Sequence, residues 1–163
     1  MSDAFHKLTL ETHKLKWEDD LPFSLDSNDI FFQDDALDEI EHVFLEPNLI
    51  HNRILEDTNL VIGEIGFGFG LNFLSTCKSW VKNSNNGLLT FFSIDHKVPT
   101  KTEIKRLFKK FEILSDLEDE FFESFDPIHN GINKFFFSNW NVELILYVGD
   151  VIDAIRSLNG GFI

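Results

Sequence analysis

The stretch Glu64-Ile65-Gly66-Phe67-Gly68-Phe69-Gly70-Leu71-Asn72 decides the fold of this 163-residue chain. Its first residues end an apolar, β-branched run, residues 59–65, which is typical of a buried parallel strand. Three glycines then alternate with other residues, and helical spacing begins directly after them. Glycine permits a positive φ and a close approach of backbone to ligand, and the first amides of a helix point to the same place. The stretch therefore predicts a strand, a ligand-binding turn and a helix.

The residues that follow repeat this alternation of strand and helix. The first helix is predicted to run from Gly70 to about Val81, and the next two strands at residues 88–94 and 142–148. Further helices are predicted at residues 99–111, 114–126 and 151–158, whereas residues 127–141 are expected to form an Asn-rich connection. The order β-α-β-α-α-β-α predicts an α/β domain with a parallel sheet.

The charge divides the chain into two regions. Residues 1–57 hold 15 acidic and 4 basic residues, and we expect them to form an acidic N-terminal extension of strands and helices. Apolar residues between Leu8 and Trp17 are loosely at strand spacing, and residues 29–32 are a second candidate strand. A helix is predicted over residues 34–46, with Asp34 or Asp35 as its cap. Residues 51–58 fit either a helix fragment or a linker.

Composition excludes several classes of function. The net charge of −14 argues against a chain that grips nucleic acid alone and against an anionic membrane surface. With a single cysteine, Cys77, and no His-x-x-x-His pair, we expect neither a disulfide nor a metal site. No apolar window is long enough to span a membrane, and the N-terminus lacks the apolar core of a secretory signal. A cytoplasmic protein is the default expectation.

The spacing of the glycines narrows the choice of ligand. Dinucleotide-binding turns need G-x-G-x-x-G and phosphate-binding loops need Gly-Lys-Ser/Thr, but this turn has G-x-G-x-G. The carboxylate of Glu64, two residues before the first glycine, disfavours a pyrophosphate and favours a cation without phosphate. S-adenosylmethionine, with its sulfonium and amino groups, is such a ligand. The pattern resembles the first motif of class I S-adenosylmethionine-dependent methyltransferases.

Two further carboxylates come at strand ends. Asp95 ends the second strand, where nucleotide-binding folds place the acid that accepts hydrogen bonds from ribose hydroxyls. Asp150 follows Gly149 after the third strand, at a position that in the methyltransferase family receives the adenine amino group. The predicted cofactor site consists of Glu64, Gly66, Phe67, Gly68, Gly70, Asn72, Asp95, His96, Gly149 and Asp150. No catalytic residue is assigned.

Each of these residues also has an ordinary structural interpretation. Glu64 and Asp150 are candidates for acids at helix N-termini, and Asp95 for a plain turn residue. His96 is equally a surface residue, and Phe67 is a core residue or a pocket wall. The three glycines together fit a simple tight turn least well.

Residues 64–74 carry a closer resemblance. They resemble the glycine-rich signature E-S-G-F-G-T-G-L-N-F-L of the methyltransferase domain in bifunctional tRNA 5-methylaminomethyl-2-thiouridine biosynthesis enzymes, from which only Ile65 and Phe69 depart. Residues 92–99 resemble the family's F-x-S-x-E-K-x-P, with Asp95 in place of Glu, and residues 22–45 resemble its upstream motifs. The resemblance implies a Rossmann-like class I methyltransferase fold.

The resemblance also implies an activity. The family's domain transfers a methyl group from S-adenosylmethionine to the aminomethyl group on the wobble uridine of tRNA. In the full enzyme an FAD-dependent oxidase domain follows, and residues 1–163 contain no stretch that resembles it.

The resemblance further implies that residues 58–163 hold only the first half of the methyltransferase sheet. The family's Asp-Gly-Phe-Ala-Pro segment, which helps to form the substrate pocket, is not found before residue 163. We therefore expect strand 59–65 to lie open at the sheet edge. The alternative function is a non-catalytic, methyltransferase-like binding module, whose open edge a partner chain would cover. Contact with tRNA is expected to be weak and salt-sensitive and to need basic surface from the missing C-terminal portion, although residues 58–163 themselves contain a basic helix, Lys101 to Lys110.

Overall fold

The computed structural model describes residues 10–56, 58–83 and 87–159, with side chains of the last helix described to residue 156. Its N-terminal part contains a small antiparallel sheet of three strands, β1 (Leu15–Glu18), β2 (Leu21–Ser24) and β3 (Asp29–Ile30). Asp19 and Asp20 join the first two strands with φ of 48° and 61°. Two-residue hairpin loops favour this left-handed conformation, which aspartate tolerates better than most residues. The predicted strand segment around Leu8 lies outside the described residues.

Two short helices follow the small sheet. The helix predicted over residues 34–46 is present as α1 (Ala36–Ile40), which continues as a π-helical turn over Glu41–Leu45. The predicted cap is wrong, because Asp35 occupies the N-cap position but its side chain makes no capping hydrogen bond. The segment left open between helix and linker is helical, as α2 (Ile50–Glu56). Ile50 and Ile54 are buried in the core that the rest of the chain shares.

The larger sheet has four strands in the order β4-β5-β7-β6. The three predicted parallel strands are present as β4 (Asn59–Ile65), β5 (Leu88–Asp95) and β7 (Val142–Val148), each parallel to its neighbour. Their carboxyl ends therefore meet at one edge of the sheet, where open α/β folds bind ligands. The chain is a mixed α/β protein whose sheet contains this parallel core.

The fourth strand corrects the sequence prediction. Residues 127–141 are not simply a connection, because they contain β6 (Gly131–Phe137), which pairs antiparallel with β7. Asn133, Phe135 and Phe137 are buried, while Lys134 and Phe136 face outward. Three consecutive phenylalanines hide this alternation in the sequence, and the rings that bury Phe137 include Phe73, about 60 residues earlier.

The helices between the strands complete the fold. They are α3 (Leu71–Asn83), α4 (Lys101–Lys110), α5 (Glu118–Ser124) and α6 (Val151–Asn159). The helix predicted over residues 114–126 is divided into a 3₁₀ segment, Glu112–Leu117, and α5. Thr100 and Glu103 start α4 with a reciprocal capping box. Among the described helices, none is long and apolar enough to cross a membrane.

Strand β4 lies at the edge of the four-stranded sheet, as predicted. Leu60 and Ile62 are buried on one face of the strand. On its other face Val61 is 66% exposed and Ile65 is 74% exposed. Parallel strands are normally covered on both faces, so this face of β4 is unusually apolar for a surface.

Candidate functional site

The glycine-rich turn connects β4 to α3 at the carboxyl edge of the parallel strands. Gly66, Gly68 and Gly70 have φ of 96°, 54° and 76°, a conformation that L side chains rarely adopt. A Cβ at Gly70 would lie 2.7 Å from Cζ of the buried Phe67 ring, so this glycine is also required for packing. A Cβ at Gly66 would meet nothing within 4 Å, because the backbone there faces open space.

Asp95, the last residue of β5, ties the neighbouring loops together. Its Oδ2 accepts a hydrogen bond from the Gly68 amide at 2.7 Å, and its Oδ1 accepts one from the Lys97 amide at 3.3 Å. Its backbone carbonyl accepts a bond from the Gly149 amide at 2.8 Å. A carboxylate offers about four lone-pair sites, so each oxygen of Asp95 can accept one more donor.

Glu64 lies beneath the turn rather than at its surface. Oε1 accepts a hydrogen bond from Ser93 Oγ at 2.9 Å, and Oε2 accepts one from Asn72 Nδ2 at 3.1 Å. Burial raises the pKa of Glu64 to about 7, against the lowering effect of these two donors, and the nearby charge of Asp95 raises it further. The Glu64 carboxyl group therefore changes its charge near neutral pH.

Two clefts flank the turn. The first, here called the Asp95 cleft, measures about 240 Å³. Asp95, His96, Gly149 and Asp150 line it, and Ile65, Ile94 and Val151 add an apolar wall. Asp150 also has the ordinary role considered from the sequence, because its Oδ1 accepts bonds from the Ile152 and Asp153 amides at the start of α6.

The second cleft, here called the Phe31 cleft, measures about 280 Å³ and lies between the turn and α1. Phe31, Glu39 and Val43 of the N-terminal segment form one side of it, and residues of the turn and of α3 form the other. The backbone of Gly66 lines both clefts. The two clefts therefore adjoin at the one turn position where a side chain would project into open space.

The structure thus brings the ten predicted residues to one place, in three groups. Asp95, His96, Gly149 and Asp150 line the first cleft, whereas Phe67, Gly68 and Asn72 line the second. Gly66 belongs to both, and Glu64 and Gly70 support the turn through the contacts described above. Three further residues of the first cleft, Ile65, Ile94 and Val151, were not predicted, although each is adjacent to a predicted residue. Glu39 was not predicted either, because no local sequence pattern shows that residues 31–43 fold over the turn.

A Glu-His-Ser arrangement, which the sequence did not suggest, occurs away from this edge. Oε1 of Glu41 lies 2.6 Å from His51 Nε2, and His51 Nδ1 lies 2.9 Å from Ser79 Oγ, beside a cavity of about 420 Å³. Nucleophilic catalysis also needs amides free to stabilise an oxyanion, but Ser79 lies inside α3, where backbone amides bond to carbonyls one turn earlier. The arrangement therefore serves as a polar contact between α2 and α3.

In the part of the chain that the structure describes, no group of three or more His, Cys, Asp or Glu side chains is placed to hold a metal ion. Cys77 is buried as a free thiol in α3.

A solved structure first shows which known fold this chain shares. The fold matches that of a solved structure, MNMC2 from Aquifex aeolicus, with a TM-score of 0.58 and 18% sequence identity over 90% of this chain and 45% of that one. The chain therefore shares its mixed α/β fold with this protein over 90% of its own length. No protein-family model matches the chain.

The curated relatives are more specific. The tRNA 5-methylaminomethyl-2-thiouridine biosynthesis bifunctional protein MnmC of Leptospira borgpetersenii is 34% identical over 152 residues, which is 90% of this chain. The MnmC proteins of Marinobacter nauticus and Legionella pneumophila are 30% and 32% identical over 91% and 90% of the chain. These relatives confirm the resemblance carried by residues 64–74. The chain spans about a quarter of their length, 23% to 25%.

Gly66 and Gly70 are predicted to differ in their tolerance of alanine. Gly70→Ala combines a left-handed backbone with a clash against Phe67, and should lower the free energy of unfolding by about 2–4 kcal/mol. Gly66→Ala carries only the backbone cost, about 1–2 kcal/mol. Urea unfolding of both variants measures the difference. Equal losses would contradict the packing role assigned to Gly70.

Glu64 is predicted to make stability depend on pH. Because folding raises its pKa from 4.5 to about 7, its contribution is fully present below pH 4.5 and is lost as the pH rises through 7. Because glutamine cannot titrate, Glu64→Gln does not lose this contribution. Between pH 5 and pH 8 the free energy of unfolding of Glu64→Gln, minus that of the wild type, should therefore rise by about 1–3 kcal/mol. Glu112→Gln, at an exposed position, is the matched control and should follow the wild type. Parallel curves for all three proteins would show that Glu64 is not buried as described.

Proposed function

We propose that this chain binds S-adenosylmethionine across the glycine-rich turn and acts as a methyltransferase on the aminomethyl group of the wobble uridine in tRNA. The observation that carries the proposal is the pair of clefts that adjoin at Gly66, with a strand-end carboxylate in the first. An elongated ligand with two chemically different ends fits such a site. The MnmC relatives are named for biosynthesis of a methylaminomethyl uridine in tRNA, which supports the same choice.

The residues present fit the adenosine end of that cofactor. Each oxygen of Asp95 can accept a ribose hydroxyl in addition to its present backbone donor. Ile65, Ile94 and Val151 offer apolar contacts to a planar base in the same cleft. The free oxygen Oδ2 of Asp150 would accept the adenine amino group while Oδ1 continues to cap α6.

The carboxyl group of Glu64 beneath the turn suits the cationic end of the cofactor. The cofactor carries a sulfonium and an ammonium group, and neither needs a metal or a phosphate site. Glu64, with a pKa raised to about 7, would lose its proton more readily beside a cation, because opposite charges stabilise the ionised form. In the Phe31 cleft this end of the cofactor would lie along the turn, whereas Glu39 and Phe31 on the opposite side would receive the amine and the pyrimidine of the substrate.

The proposed methyl transfer to an amine requires no strong base from the protein. When bound, S-adenosylmethionine supplies an activated methyl group that a neutral amine can attack directly. The chain's own residues would therefore act by holding the two partners in line and by excluding water, rather than as a strong base. The turn suits this task because three hydrogen bonds of Asp95 fix its position relative to both clefts. No side chain is assigned a catalytic role.

The setting proposed for this activity is the cytoplasm, with tRNA as the macromolecular substrate. Because the chain spans about a quarter of its curated relatives, the activity of the whole relatives reaches it only as part of this proposal. FAD chemistry is not proposed for residues 1–163.

One observation favours a second candidate, a non-catalytic binding module. Strand β4 lies at the sheet edge with Val61 and Ile65 exposed, and it carries neither a proline nor a lysine that would block pairing. A partner chain that adds a strand or a helix here would bury both side chains. In this alternative the methyltransferase-like fold is retained for association, and the cofactor is not bound.

Calorimetric titration with S-adenosylmethionine and S-adenosylhomocysteine tests the proposal. Both are expected to bind, and Asp95→Asn should weaken binding by about 1–3 kcal/mol, because a carboxylate that accepts two hydroxyls is lost. Asp119→Asn, which removes the same charge from an exposed helix position, is the control and should bind as the wild type does. Urea unfolding checks that both variants remain folded.

The two candidates predict different results in this experiment. Absence of heat with either compound at high protein concentration would refute cofactor binding and leave the binding module. Cofactor binding that Asp95→Asn leaves unchanged would refute the placement of the ribose. If the cofactor binds, methyl transfer to tRNA carrying the aminomethyl uridine then separates an enzyme from a module.

A further inference from the structure

Helix α4 presents an exposed face whose charge is opposite to that of the whole chain. Five of its ten residues are basic, Lys101, Lys105, Arg106, Lys109 and Lys110, in a protein of net charge −14. The helix packs through Ile104, Leu107 and Phe108, which are all buried. The basic residues are therefore not needed to attach the helix to the core.

The basic residues differ in how far nearby carboxylates neutralise them. Lys110 pairs with Asp34, and Lys101 lies 3.5 Å from a carboxylate oxygen of Asp126. Among the described residues, Lys105, Arg106 and Lys109 form no ion pair. These three positive charges remain available to an anionic partner.

Two of these available cations rest against aromatic rings. Arg106 lies 4.8 Å from the centre of the Trp17 ring, and Lys105 Nζ lies 5.4 Å from the centre of the Phe122 ring. A ring face attracts a cation without cancelling its charge, so these contacts position the two side chains and leave them positive. The combination of basic and aromatic side chains on one surface is typical of nucleic-acid contact.

We propose that Lys105, Arg106 and Lys109, supported by Trp17 and Phe122, bind phosphates of the tRNA substrate; this group is called the α4 surface. The inference rests on the proposed function for the identity of the RNA. Phosphate contacts by lysine and arginine hold a nucleic acid in position without reading its sequence. The α4 surface would therefore supply docking, while the clefts at the glycine-rich turn supply recognition of the reacting base.

The hairpin between β1 and β2 opposes this contact. Asp19 and Asp20 line a cleft of about 460 Å³ together with Arg106, Lys109 and Lys110. The left-handed turn holds both aspartates there, and neither forms an ion pair among the described residues. Their negative charges would repel an approaching phosphate, so the hairpin should weaken RNA binding at the α4 surface.

Binding of a fluorescently labelled tRNA transcript, measured by anisotropy from 25 to 200 mM KCl, tests the proposal. The triple variant K105Q/R106Q/K109Q should lose at least about tenfold in affinity at 100 mM, and the slope of log K against log[KCl] should fall by about two. K14Q/K82Q/K134Q removes the same charge from other exposed positions and is the matched control, with affinity close to the wild type. D19N/D20N keeps the turn, because asparagine accepts its conformation, and should bind more tightly.

Several outcomes would overturn the α4 surface. Equal losses in both triple variants would show a diffuse charge effect, and unchanged affinity in K105Q/R106Q/K109Q would place the RNA elsewhere. A wild type that binds S-adenosylhomocysteine but no tRNA at 25 mM KCl would also overturn it, while the cofactor proposal stands. Conversely, tRNA binding lost only in K105Q/R106Q/K109Q, from a wild type that binds no S-adenosylhomocysteine, would support the surface and refute the cofactor.

Discussion

The hydrogen bond from the Gly68 amide to Asp95 is the contact on which the loops at the carboxyl edge of the parallel strands depend. It joins the turn after the first parallel strand to the end of the second, and the Asp95 carbonyl continues the connection to Gly149 after the third. Three loops that are far apart in sequence are thereby held at one edge. The clefts on either side of the turn owe their shape to this connection, and a donor that competes for Asp95 would act on all three loops.

A second constraint is the buried carboxylate beneath the turn. Glu64 accepts hydrogen bonds from Ser93 and Asn72 and has a pKa of about 7. The folded protein therefore loses stability when this buried carboxyl group ionises. A cationic ligand would offset that cost, because it stabilises the ionised form. Carboxyl groups whose pKa is shifted in this way by burial and a neighbouring charge are common at functional positions.

The sequence predicted the parallel part of the fold because its signals are local. Residues 59–65, 88–94 and 142–148 are short apolar runs followed by glycine or aspartate, and the strands β4, β5 and β7 occupy them. Long-range packing explains what was missed. Strand β6 is defined by pairing with β7 and by rings from α3 and α5, and the Phe31 cleft by the folding of an acidic N-terminal segment over the turn. The ten predicted site residues gather at one edge for a topological reason, since they follow neighbouring parallel strands.

The central claim is that one ligand occupies both clefts across Gly66. Amide chemical shifts of isotope-labelled protein, followed by NMR during titration with S-adenosylhomocysteine, test it most directly. We predict large shifts for Gly66, Gly68 and Gly149, smaller ones around Glu39, and none for Lys78 and Lys82 beside the cavity between α2 and α3. Shifts confined to that cavity, or an unchanged spectrum at saturating ligand, would contradict it.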